Sequence, residues 1–174
     1  MDWYSSIFEL IDMRSFSNLW YWIALAVVWS SASHWVLGVP YDMIQRARRV
    51  GGQAETDLLD IVRINTNRLL YIVEVSGTWL LAISCFLLSG LAMLGFYYGI
   101  EFAQAVFLLA FPMSIVGLLN LSLARKLRAA DAELDPIAKL LLRCRVYTQL
   151  IGMVSIFVTS LWGMYQNLVI GPLG

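Results

Sequence analysis

The stretch Val75–Ile100, VSGTWLLAISCFLLSGLAMLGFYYGI, runs for 26 residues without an Asp, Glu, Lys or Arg. A helix needs roughly 20 consecutive apolar residues to cross about 30 Å of bilayer hydrocarbon, so this segment is long enough with residues to spare. Three more stretches share the property: Ser15–Tyr41 (27 residues), Phe102–Ala124 (23) and Val146–Gly174 (29). In hydrocarbon the backbone N–H and C=O groups must be satisfied within the segment, which selects helices. None of the four runs alternates in the manner of the roughly 10-residue strands of a membrane barrel. The sequence therefore predicts four spanning helices, near Leu19–Val39, Val75–Gly95, Phe102–Ala124 and Val146–Asn167.

Composition agrees. The 174-residue chain is 60% hydrophobic and 14% charged, against about 45–50% and about 25% for a soluble domain, and its mean hydropathy is +0.71. A soluble globular fold and a disordered chain are both excluded. Acids and bases balance at 12 each, so net charge predicts neither a nucleic-acid partner nor a solvating tail.

The distribution of charge predicts orientation. Arg46, Arg48, Arg49, Arg63 and Arg68 fall in the first loop, Pro40–Leu69, and Arg125, Lys126, Arg128, Lys139, Arg143 and Arg145 in the third, Arg125–Arg145. Eleven of the twelve basic residues thus share one side, and the positive-inside rule makes that side cytoplasmic, with both termini periplasmic. Aromatic residues gather at both boundaries: Trp20, Tyr21, Trp22, Phe96, Tyr97, Tyr98, Trp162 and Tyr165 at the outer, Trp35, Tyr41, Tyr71 and Tyr147 at the inner. Amphipathic rings favour that level.

Residues 1–18 carry three acids and one base, the reverse of a signal-peptide n-region. Trp3, Tyr4, Ile7, Phe8, Ile11 and Phe16 share a helical face instead, which predicts an interfacial helix on the outer surface. Both cytoplasmic loops read as helical hairpins. Tyr41–Arg49 is expected to continue the first helix, Val50-Gly51-Gly52-Gln53 to break it, and Ala54–Glu74 to lead into the second span. Asp135-Pro136 reads as N-cap and first helical residue of a helix running unbroken into the fourth span. Pro112 is expected to kink the third.

Few residues suggest chemistry. One histidine excludes bis-histidine haem binding by a monomer, and Cys85 and Cys144 lie at different depths with no Cys-x-x-Cys spacing. That spacing rejects a quinone-linked disulfide oxidase. Nor does any nucleotide-binding, serine-hydrolase or zinc-protease motif occur, and the chain is not expected to be an enzyme. His34, after Ser30-Ser31-Ala32-Ser33, is the one cofactor-binding candidate, either a pigment ligand or an interhelical hydrogen-bond donor. Glu74 borders a span, and with Gln104, Asn120 and Gln149 it offers a polar path. Small residues form stripes at Gly152, Ser155, Thr159 and Gly163, at Ala110, Ser114 and Gly117, and at Ala26 and Ser30. Such stripes let helix backbones approach, either within the chain or against another subunit. The basic groups Arg46, Arg48, Arg49, Arg125, Lys126 and Arg128 suit anionic lipid or a docked partner.

The segments Ile11-Asp12-Met13-Arg14-Ser15-Phe16-Ser17-Asn18-Leu19-Trp20-Tyr21-Trp22 and His34-Trp35-Val36-Leu37-Gly38-Val39-Pro40-Tyr41-Asp42 resemble a family of small membrane proteins of Rhodobacter-type alphaproteobacteria. Its members are often labelled a component of the SufBCD complex of iron–sulfur assembly. The resemblance covers most of the chain. It implies a bacterial inner membrane, one rich in photosynthetic or respiratory complexes, and an association with the assembly machinery.

Together these readings predict a single all-α membrane domain over residues 1–174: a four-helix bundle with helical cytoplasmic hairpins and an N-terminal interfacial helix. The predicted role is a non-catalytic accessory, assembly or stabilising subunit of a larger inner-membrane complex, in contact with lipid and other membrane subunits. Three alternatives remain open: a small transporter or channel, a pigment- or quinone-binding subunit using His34, and a membrane partner of iron–sulfur assembly. No metal is expected, and no cofactor beyond a bound lipid, quinone or pigment.

Overall fold

The structure is a computed structural model and describes residues 15–130 and 133–170. The predicted interfacial helix lies almost wholly outside those residues. Only its end is described, as a 3-10 turn, Ser15–Ser17. Five α-helices follow: α1 Leu19–His34, α2 Tyr41–Val50, α3 Gln53–Ala92, α4 Glu101–Ala129 and α5 Leu134–Ile170. The class is all-α, with one two-stranded hairpin, β1 Trp35–Val36 and β2 Val39–Pro40.

Helix α1 starts where the Asn18 side chain accepts the Trp20 N–H at 3.0 Å, which satisfies one of the free donors of the first turn. It ends at His34, five residues short of the expected boundary at Val39. At roughly 1.5 Å per residue its 16 residues reach about 24 Å. The expected continuation of this helix into Tyr41–Arg49 is also overturned, because the hairpin separates the two. Leu37 (φ 54°) and Gly38 (φ 71°) both take left-handed conformations, the requirement of a tight two-residue hairpin turn. Trp35 then faces Pro40, and Val36 faces Val39. Pro40 disfavours helical backbone at Val39, and Val36, Leu37 and Val39 are buried by the fold. Burial of three branched side chains outweighs the local helical pattern.

The remaining boundaries follow the sequence closely. Gly51 and Gly52, both at positive φ, break the chain between α2 and α3. From Gln53 the helix runs without interruption through Glu74 and the apolar segment to Ala92, then widens into a π turn, Met93–Tyr97. Helix α5 begins at Leu134, so Asp135 lies in its first turn rather than at its cap; there the carboxylate still meets the positive end of the helix. Among the described residues, three helices are long and apolar enough to cross a membrane: Gln53–Tyr97, Glu101–Ala129 and Leu134–Leu168.

Two apolar clusters hold the helices. The larger joins the hairpin (Val36, Leu37, Val39), α2 (Ile44, Ala47), the start of α3 (Leu58, Val62), the end of α4 (Leu123, Ala124, Leu127) and the start of α5 (Ile137, Ala138, Leu141, Cys144). The two basic loop segments of the sequence therefore share one core, at one end of the molecule. The smaller cluster seats Leu25 and Trp29 of α1 against Val116 of α4, with Ile151 of α5 beside them. Helix α3 packs on α4, α4 on α5, and α5 on α1.

Candidate functional site

At the end opposite the basic loops, Gln104 is the centre of a polar node. Its side chain is buried, and its Nε2 donates to the Gly95 carbonyl oxygen at 2.8 Å. Its Oε1 accepts from Trp162 Nε1 at 2.9 Å and from Gln166 Nε2 at 2.5 Å. Gly95 is required here: a Cβ on it would stand 2.9 Å from the Gln104 backbone nitrogen. The same end is tied down by Glu101 Oε1, which accepts the Phe16 N–H at 2.6 Å. Tyr21 donates to the Ala105 carbonyl at 3.1 Å, and Ser17 to Asn167 Oδ1 at 2.8 Å. The node clamps the π turn, α4 and α5 together. Its polar atoms are engaged with one another, so its chemistry is structural.

The polar path suggested by sequence is not assembled. Glu74 and Gln149 are exposed on α3 and α5, while Gln104 belongs to the node. Asn120 sits near the basic end, its Oδ1 3.8 Å from Cys144 Sγ. Cys85 is exposed on α3 and Cys144 is buried, both as free thiols.

The small-residue stripe of α5 is consumed inside the chain. A Cβ on Gly152 would meet Trp29 Cε3 at 2.8 Å, and one on Gly163 would meet Phe16 at 3.3 Å. Ser155 donates to the Leu108 carbonyl, and Thr159 is fully enclosed. The other stripes fare differently. Ala110 and Ser114 are half-buried, Gly117 faces open space, and Ala26 and Ser30 are exposed on α1.

His34 ends α1, half-exposed, with Nε2 4.0 Å from Asp42 Oδ1 and its ring edge-on to Trp35. It is thus a surface group beside the hairpin. Among the described residues no group of three or more His, Cys, Asp or Glu side chains is placed to hold a metal. Arg46, Arg48 and Arg49 lie exposed on α2, while Ile44 and Ala47 of the same helix are buried. Arg125, Lys126 and Arg128 are exposed at the end of α4. Arg145 stacks instead on Tyr41, its guanidinium carbon 3.5 Å from the ring centroid.

Among the described residues, a broadly exposed apolar feature is the far half of α3 with the π turn after it. Trp79 (74%), Phe86 (78%) and Tyr97 (75%) stand open, together with Val75, Leu80, Leu81, Ile83 and Leu87. Every residue from Thr78 to Leu87 is exposed, so this part of α3 is bare around its whole circumference. A surface of this size and continuity in a folded chain marks contact with lipid or with another protein. No protein-family model matches this sequence, and no curated protein or solved structure shows detectable similarity to it.

Two features escaped sequence reading. The node was legible only as a lone Gln104; its sign was the i, i+4 pair Trp162 and Gln166 on another helix. The bareness of α3 had none, because an apolar run reads alike whether its neighbours are helices or lipid.

Proposed function

We propose that this chain is a multi-pass protein of a bacterial inner membrane, a four-helix membrane bundle whose basic end faces the cytoplasm. Its role is non-catalytic: it packs against, and thereby assembles or stabilises, a larger inner-membrane complex of photosynthetic or respiratory type. The observation that carries this reading is the bare apolar half of α3 and the π turn after it, from Val75 to Tyr97. In a bilayer such a face meets lipid or another subunit, and we assign it to a subunit because close packing drives helix association in lipid. Here α3 is anchored at its basic end by Leu58 and Val62 in the shared core, and beyond Glu74 it offers its side chains outward.

The engaged polar node and the dispersal of Glu74, Asn120 and Gln149 support an accessory role over a transport path. The shared core of the two basic segments supports a single cytoplasmic end, in line with the positive-inside rule. Extraction of native membranes in a mild detergent, followed by affinity purification, tests the reading. Stoichiometric membrane subunits are expected with the chain; a lone monomer from every mild detergent would overturn it.

A further inference from the structure

A groove runs between α3 and α4 at the basic end, just where the uncharged segments begin. Its upper part, a cavity of about 510 Å³, is lined by Leu70, Val73 and Glu74 of α3 and by Arg125, Arg128 and Ala129 of α4. A carboxylate and two guanidinium groups thus border one space, yet Glu74 forms no ion pair within 4.0 Å with either arginine. Opposite charges held around a gap without closing it leave room for a molecule that carries both signs. Arg128 also borders the next cavity along the groove, of about 400 Å³, with Thr66, Asn67 and the Asp60–Arg63 pair. Thr66 is only 4% exposed, and its hydroxyl has no hydrogen-bond partner. A buried donor without an acceptor is unfavourable to the bare chain, but Thr66 lines this second cavity and not the one bordered by Glu74 and Arg125.

We propose that this groove binds an aminophospholipid headgroup: the phosphate on Arg125 and Arg128, the primary ammonium on Glu74. Guanidinium groups match phosphate oxygens with paired donors. Leu70 and Val73 border the same cavity, and they meet the glycerol and the first acyl carbons. The inference rests on the membrane placement proposed above, because only that placement sets the groove at headgroup level.

The test is native mass spectrometry of the full chain in detergent with dioleoyl phosphatidylethanolamine, phosphatidylcholine or phosphatidylglycerol at equal concentration. Ethanolamine lipid is retained about tenfold better than either of the others, since choline has no N–H to donate and glycerol no cation. Glu74→Gln, at an exposed position that the fold does not need, brings ethanolamine lipid down to the choline level. Arg125→Gln with Arg128→Gln weakens all three. Equal retention by the wild type, or an ethanolamine preference that survives Glu74→Gln, overturns the site. Excess O-phosphoethanolamine leaves the lipid bound; displacement by it overturns the lipid as the source of the headgroup. A membrane-held chain with no headgroup preference defeats this inference alone, whereas a chain released from membranes by alkaline washing defeats the placement beneath it.

Discussion

The hydroxyl of Ser155 donates to the main-chain oxygen of Leu108 at 3.4 Å, and Leu108 stands four residues before Pro112, inside α4. Proline has no N–H, so the Leu108 carbonyl loses the donor that an uninterrupted helix supplies. A side chain from α5 takes that place across the helix interface. Substitution of Ser155 by Ala leaves this oxygen among Phe107, Phe111 and Val154 with no partner. We expect a loss of about 1 kcal/mol, within the range for interhelical hydrogen bonds in lipid. Pro112→Ala returns a helical N–H, and in that background Ser155→Ala should be close to neutral. Reversible unfolding in mixed micelles over the four-variant cycle measures the coupling; additive effects would refute the link.

Trp29 and Gly152 form the second contact that decides the packing of α1. The indole lies where a Cβ on Gly152 would stand, 2.8 Å from Cε3. Gly152→Ala must push the ring aside and is expected to destabilise by about 1–3 kcal/mol, the usual penalty of overpacking. Trp29→Leu, a smaller side chain, should recover much of that loss when combined with it. Trp29 Nε1 is enclosed and without a partner, so Trp29→Phe, which removes that orphan donor, should cost far less than Trp29→Ala. Thermal melts of the purified variants, followed by helical circular dichroism, rank the four. A Gly152→Ala protein as stable as the wild type would contradict the contact.

The sequence carries most of the helical plan, and the exceptions have physical causes. Length without charge is a one-dimensional property, so the apolar parts of α3, α4 and α5 were legible at once. Gly51-Gly52 broke the chain as expected because positive φ is a local requirement. The end of α1 was not legible in this way. Leu37 occupies a left-handed position that its side chain disfavours, and it does so because the hairpin buries it with Val36 and Val39. That balance is tertiary, and no window along the chain contains it. The same holds for Gln104, whose partners Trp162 and Gln166 lie about sixty positions away in sequence. For the small residues, spacing offered the α5 stripe and Gly117 alike as surfaces for close approach, whereas Gly152 and Gly163 meet Trp29 and Phe16 and Gly117 faces open space.

Orientation is the next expectation. Arg48 on α2 and Arg128 on α4 are both exposed at the basic end, so Arg48→Cys and Arg128→Cys present accessible thiols without touching the core. The native cysteines are removed as Cys85→Ser and Cys144→Ala, since Cys144 is buried and Cys85 is not. In spheroplasts a membrane-impermeant maleimide should leave both engineered thiols unmodified, and in inverted vesicles it should label both. Labelling of either in spheroplasts would reverse the topology and remove the cytoplasmic docking surface. Labelling of one but not the other from the same side would break the single basic end that the shared core implies.

Helix α3 offers a test that separates a partner surface from one covered by lipid alone. Trp79 and Phe86 are among its most exposed side chains, so truncating them removes almost no contact within the chain. Trp79→Ala and Phe86→Ala should therefore shift the stability of the isolated protein by no more than about 0.5 kcal/mol, as for other substitutions away from structural contacts. A protein partner seated on this face would lose aromatic anchors, the residue class that dominates binding at interfaces. Loss of one such anchor, at about 2 kcal/mol, lowers affinity roughly thirtyfold. Mild-detergent purification of each variant beside the wild type should thus yield the same amount of folded chain but far less of its companion subunits. If companions are recovered undiminished, their seat lies elsewhere on the chain. The exposed face of α1 around Ala26 and Ser30 then becomes the surface to mutate, because α5 has already spent its small residues on Trp29 and Phe16.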